Sequence, residues 1–155
     1  MKLSGSSHEK LQQFFRVHFG DDSFTLPKIR FYSGKATNFV TRRFRIDGIT
    51  FGRRVYIQPE RIRKEGPKKL RISGALAVHE IAHVLQYRRD GFIRFLVKYL
   101  TNYRRNLKDS ATKDENARLQ AYLDIGYEIE ARRAASEYVR WSAERKFRKE
   151  PSVSR

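Results

Sequence analysis

Cysteine is absent from this chain, and histidine is scarce, with only His8, His18, His79 and His83 in 155 residues. No disulfide can brace the fold and no thiolate can hold a metal, so any metal ligand must be a His, Asp or Glu. No apolar run approaches the roughly 18 residues that a membrane span needs. The opening residues, MKLSGSSHEK, lack the apolar stretch of a secretory signal. The expected location is therefore the cytoplasm, or outside the cell after export without a conventional signal peptide. Acidic residues are also in short supply, 17 against 34 Lys and Arg, for a net charge of +17. The imbalance is greatest between Ser23 and His79, where 14 basic residues face only Asp47, Glu60 and Glu65. Such a field favours anionic partners: nucleic acid, an acidic membrane surface or an acidic protein. A solvated basic face that confers solubility accounts for it equally well.

Against this background one stretch stands out, Gly74 to Gln86, reading GALAVHEIAHVLQ. His79, Glu80 and His83 form H-E-x-x-H within an otherwise apolar run. On a helix, residues four apart share a side, so His79 and His83 make a two-pronged imidazole clamp, with Glu80 turned about 100° away. The pattern suits Zn²⁺, with two imidazole ligands and a carboxylate reaching a metal-activated water. A buried helix with two merely hydrogen-bonded histidines is the plainer alternative, but three ionisable groups among Leu76, Val78, Ile81, Val84 and Leu85 need compensation, which a metal would supply.

The length suits one domain with a real core, taken as about 7–147, followed by a basic tail over 148–155. Ser6 or Ser7 is placed to cap a first helix whose apolar face includes Leu11, Phe14, Phe15, Val17 and Phe19, ending at Gly20-Asp21-Asp22. KIRFYS alternates as a half-buried strand, and Gly34 to Val40 is read as a short helix or loop. Phe44 and Ile46, a turn at Asp47-Gly48, then Ile49 and Phe51 read as a hairpin, and Val55 and Ile57 resume the alternation after Gly52. The sum is a small antiparallel sheet of three or four strands. Pro59 to Pro67 is a charged loop. Beyond the motif helix, Phe92, Phe95, Leu96, Tyr99, Leu100 and Tyr103 recur three and four apart, a packing face of a second helix. Thr112 or Asp114 can cap a last helical region over about Glu115–Lys146, interrupted at Gly126.

A third ligand must come from elsewhere. His8 and His18 have no ligand-like spacing, and no His follows His83, which leaves carboxylates, with YEIEARRAASEY the best segment. Tyr127, Ala131, Ala134, Ala135, Tyr138 and Val139 define its apolar face. Glu128 lies about 60° from the centre of that face and Glu130 about 100° on the other side, so Glu128 is the more inward. A boundary salt bridge to an Arg is the competing role for it.

HEIAHVLQY followed about 45 residues later by YEIEA resembles the gluzincin-type zinc peptidases. Their third ligand is a Glu on a downstream helix, in several lineages opening an E-x-x-A that maps onto Glu128 and Ala131. The chain is more closely similar to the extracellular contractile injection system core domain, a metallopeptidase-like group. That group joins an N-terminal helix and strand to a G-x-x-I-Y-like strand and an HE-x-x-HV-x-Q helix, here KIRFYSG, ITFGRRVYI and HEIAHVLQ, over about residues 10 to 90. Some gluzincins follow E-x-x-A with an Asp that supports a ligating His; this chain has Arg132 there.

The resemblance implies an α+β zincin-like domain, its sheet packed on the H-E-x-x-H helix and followed by further helices. It implies Zn²⁺ held by His79, His83 and Glu128, with Glu80 as general base in hydrolysis of a protein or peptide substrate. Tyr127, Tyr87 or a nearby Arg could stabilise the oxyanion. The alternative from another class is a nucleic-acid- or polyanion-binding or scaffold protein on the same fold. Its basis is five Arg-Arg pairs interleaved with aromatics, as in TRRFRI, FGRRVYI and NYRRN.

Overall fold

A computed structural model describes residues 3–34, 47–64 and 70–147. The expected helix or loop over Gly34 to Val40 and the strand around Phe44 and Ile46 fall mostly on 35–46, outside the described residues, as does the basic tail.

Helix α1 spans Gly5–Phe19, capped by Ser4, whose hydroxyl accepts from the Ser7 N–H at 3.2 Å. The cap therefore sits two or three residues earlier than the sequence suggested. Leu11, Phe14 and Phe15 are buried, while Val17 and Phe19 point outward. Three strands follow: β1 (Arg30–Tyr32), β2 (Gly48–Phe51) and β3 (Arg54–Ile57). Their order is β1-β3-β2, with β3 antiparallel to β2 and parallel to β1. The sheet is thus mixed rather than wholly antiparallel, because β1 adds on the far side of β3 instead of extending the hairpin.

The hairpin of β2 and β3 turns at the glycine read as a break. Phe51 pairs with Arg54 around Gly52-Arg53, and Gly52 has φ 57°, the positive value that tight two-residue turns need. The chain bends at Asp47, and Gly48 opens β2 and pairs with Ile57; the strand expected before that bend lies outside the described residues. On the inner face Phe31, Val55 and Ile57 are buried, and the buried residue of β2 is Thr50, not Ile49 or Phe51. Tyr32, Tyr56 and Phe51 form an aromatic row on the outer face, with Tyr32 stacked on Tyr56 at 5.2 Å.

A short 3₁₀ turn at Pro59–Arg61 and a two-residue ladder, β4 (Arg63–Lys64) with β5 (Leu70–Arg71), lead into α2, Gly74–Asp90. Ser73 caps α2 by accepting from the Leu76 N–H at 3.1 Å. Then come α3 (Phe92–Lys108), α4 (Glu115–Leu123, capped by Asp114) and α5 (Gly126–Phe147). The break near Gly126 is real, and α5 runs along α2. Ala131 and Ala134, 0% and 1% exposed, let these helices approach.

Two apolar clusters result. The larger joins α1, the sheet, α2 and α5 around Phe14, Phe15, Ile57 and Ile81. The smaller gathers Tyr87, Phe95, Ile125 and Tyr127. Burying each such side chain contributes about 1.5–3 kcal/mol. Phe92 and Leu100, expected in the core, are about half exposed; α3 turns only Phe95, Leu96, Tyr99 and Tyr103 inward.

Candidate metal centre

The middle of α2 carries His79 and His83, and the first turn of α5 brings Glu128 against them. His79 Nε2 lies 3.3 Å from His83 Nε2 and 3.3 Å from Glu128 Oε2, and His83 Nε2 lies 3.3 Å from Glu128 Oε1. A tetrahedral ion with ligand bonds of about 2.0–2.1 Å separates its ligand atoms by about 3.3 Å, so the spacing is what a small divalent cation requires. Glu128 Oε2 is buried and has no hydrogen-bond partner among the described residues. Glu128 and His83 are buried, while His79 is partly open to solvent.

A hydrogen-bond relay fixes which atoms converge. The Gln86 amide donates from Nε2 to the Tyr127 carbonyl at 3.0 Å, which turns its Oε1 toward His83 Nδ1 at 2.8 Å. An acceptor there requires Nδ1–H on His83, leaving the Nε2 lone pair aimed at His79 and Glu128. Lone pairs facing one another in a buried site need a positive charge between them. Without a metal, a proton serves: although burial opposes it, Glu128 above all, with Glu80 and Gln86, raises the His83 pKa to about 9. Burial would raise the Glu128 carboxyl, but close contact with His79 and His83 outweighs it and holds that carboxyl well below the usual carboxylate range. Glu128 is thus ionised, the form that ligates.

From α3, Tyr99 donates its hydroxyl to Glu128 Oε1 at 2.8 Å, orienting the carboxylate. Burial, and then the Glu128 charge, push the Tyr99 hydroxyl far up, so it stays a donor.

Glu80 leaves α2 toward the sheet. Thr50 donates to its Oε2 at 2.7 Å, and a Cβ on Gly48 would stand 2.6 Å from its Oε1. Glycine at 48 is therefore a matter of close approach: the strand backbone lies against the carboxylate. Burial is the main cause raising the Glu80 pKa, opposed by the two histidines and Thr50.

His79, His83 and Glu128 thus form a group able to hold a metal ion. Residues 6–91, more than half of the chain, match the eCIS core domain. The chain belongs to that family. No curated protein and no solved structure matches it. The matched eCIS core region contains His79, Glu80, His83 and Gln86 but stops before α5, so Glu128 comes from outside it.

Other candidates lie elsewhere in this eCIS core protein. Glu130 is on the surface, paired with Arg89 at 2.8 Å. His18 pairs with Glu137, and His8 lies near the start of α1. The Tyr127 hydroxyl donates to Asp90 Oδ2 and the Tyr87 hydroxyl to the Thr50 carbonyl, so both proposed oxyanion donors are already engaged. Arg132 donates to the Glu128 and Leu123 carbonyls, joining α5 to the end of α4. In place of the Asp found in some gluzincins, the partner of His83 Nδ1 in this chain is Gln86.

Sequence reasoning passed over Gln86, Tyr99, Thr50 and Gly48 as site residues. A polar residue three after His83 on an apolar helix was a usable signal for Gln86. A tyrosine on a packing face, whose hydroxyl must find a partner, was a weaker one for Tyr99. Nothing local marked Thr50 or Gly48.

Proposed function

We propose that this eCIS core domain is a zinc-dependent peptidase. The carrying observation is the convergence of His79, His83 and Glu128 at 3.3 Å spacings, with a buried Glu128 oxygen lacking a hydrogen-bond partner among the described residues. Two imidazoles and one carboxylate favour zinc over the oxygen-seeking Ca²⁺ and Mg²⁺. When bound, Zn²⁺ would acidify a water and polarise the scissile carbonyl.

The chain's own groups do the rest. Glu80 takes the proton of the attacking water and passes it to the leaving amine. Thr50 occupies Oε2, so Oε1, in the space left by the missing Gly48 side chain, is the oxygen that carries the proton. Burial raises the Glu80 pKa above the ordinary carboxylate value, which makes the ionised carboxylate a stronger base. Among the described residues β2 ends the sheet beside Glu80, and an extended peptide can add along that edge.

The deciding experiment is metal analysis of native protein with Glu80→Gln and Glu128→Ala. One zinc per chain, kept by Glu80→Gln and lost by Glu128→Ala, is expected, together with peptide cleavage abolished in both variants. Absence of zinc uptake at neutral pH would overturn the assignment.

One observation favours a second reading, binding of an anionic ligand. Lys28, Arg53 and Arg88, with Val84, Tyr87 and Phe92, line an open cleft of about 550 Å³ whose lining includes none of His79, His83 and Glu128. Oligonucleotide binding that falls steeply with salt and ignores metal removal would favour it.

A further inference from the structure

Helix α3 buries one face and leaves a second apolar stripe uncovered. Ile93, Val97 and Leu100, spaced i, i+4, i+7, are 77%, 58% and 50% exposed. Isolated exposed apolar residues are ordinary, but a row of three along one helix face marks an interaction surface. From Phe92 to Lys108 the helix contains Arg94, Lys98, Arg104, Arg105 and Lys108 and no acidic residue. Lys98 lies 3.8 Å from Asp90; Arg94, Arg104, Arg105 and Lys108 have no ion pair among the described residues. Arg94, Lys98 and Arg105 run alongside the apolar stripe at helical spacing.

We infer that α3 docks this protein onto an anionic lipid bilayer, lying in the interfacial plane with Ile93, Val97 and Leu100 among the acyl chains and the flanking cations on the headgroups. An apolar stripe edged by Lys and Arg is what such helices need. The occupant follows from charge and shape. A second copy would bring another +17 against this face. A nucleic acid would use the cations and leave the apolar row in water. A bilayer satisfies both, and a straight 17-residue helix, about 25 Å long, presents its stripe as a line along a plane. This is surface docking, since among the described residues no helix is long and apolar enough to cross a membrane. The inner face of the same helix holds Glu128 through Tyr99, so docking would set the metal centre about one helix diameter from the lipid.

The chain has no cysteine, so Ile93→Cys can carry a single polarity-sensitive fluorophore, with Val139→Cys, exposed on α5, as the control. Each labelled protein is mixed with vesicles of phosphatidylcholine alone, or with about one lipid in three replaced by phosphatidylserine, in about 0.15 M salt. The expected result is a blue shift at position 93 but not 139, on anionic vesicles only. The unlabelled triple variant Ile93→Ser, Val97→Ser, Leu100→Ser should fold as the parent does and lose at least about tenfold in vesicle partitioning. No vesicle binding, no blue shift at 93, or undiminished partitioning of the triple variant would overturn the inference. So would a dimer in sedimentation that the triple variant abolishes.

Discussion

The Gln86 side-chain amide donates to the Tyr127 carbonyl at 3.0 Å, tying α2 to α5 one residue before Glu128. Its other end accepts from His83. One buried side chain therefore sets the tautomer of one candidate ligand and the position of another. Gln86→Leu should lower zinc affinity about 10–100-fold, as loss of a partner to a ligating His usually does. It should also cost about 1–3 kcal/mol, because the Tyr127 carbonyl would be left unpaired. Chelator competition and thermal melts measure the two effects, and unaltered zinc affinity would refute the relay.

Tyr99→Phe keeps the ring against Phe95 and removes the donor to Glu128 Oε1. A hydrogen bond to an ionised carboxylate contributes about 1.5–3 kcal/mol, so metal-free protein should melt earlier by that amount. Zinc affinity, read by calorimetry, should fall several-fold. If neither quantity moves, Tyr99 serves packing alone.

Gly48→Ala would place a methyl 2.6 Å from Glu80 Oε1 and force the carboxylate or the strand aside. Zinc should still bind, since Gly48 touches none of the three proposed ligands. Peptide hydrolysis should drop at least about 100-fold, the lower range for losing a general base. Equal loss of zinc and of hydrolysis would show instead that the whole site had collapsed.

Stability should depend on acid through Glu137 as well. Arg133 Nε lies 2.9 Å from one of its oxygens and His18 Nδ1 2.6 Å from the other. Arg133 chiefly, with His18 adding, outweighs partial burial and holds this carboxyl below its ordinary value. A depressed carboxylate stabilises the fold above its unfolded pKa, about 4.3, and that contribution is lost as pH falls through the lower folded value. Glu137→Gln should thus cost roughly 0.5–1 kcal/mol at neutral pH and nothing once the parent carboxyl is protonated. Urea melts across this range check it, and a deficit that persists in strong acid would point to packing.

What the sequence determined by itself was what local geometry dictates. Four-residue spacing put His79 and His83 on one side of a helix, and helical phase chose Glu128 over Glu130, which the structure leaves on the surface with Arg89. The alternation of Ile29 with Phe31 and of Val55 with Ile57 found the buried sides of the strands. These patterns follow from covalent periodicity, which every stretch of chain carries within itself. Tertiary structure decided the rest. Parallel pairing of β1 with β3 depends on where the chain returns. Gly48 reads as a turn residue, but it also lies where β2 presses on Glu80, and a turn signal and a close approach look alike in one glycine. Tyr99 reads as packing until α5 lays Glu128 against its hydroxyl. Gln86, Thr50 and Gly48 likewise gain their roles from partners dozens of residues away, and only the packing of whole elements brings such groups within hydrogen-bonding distance.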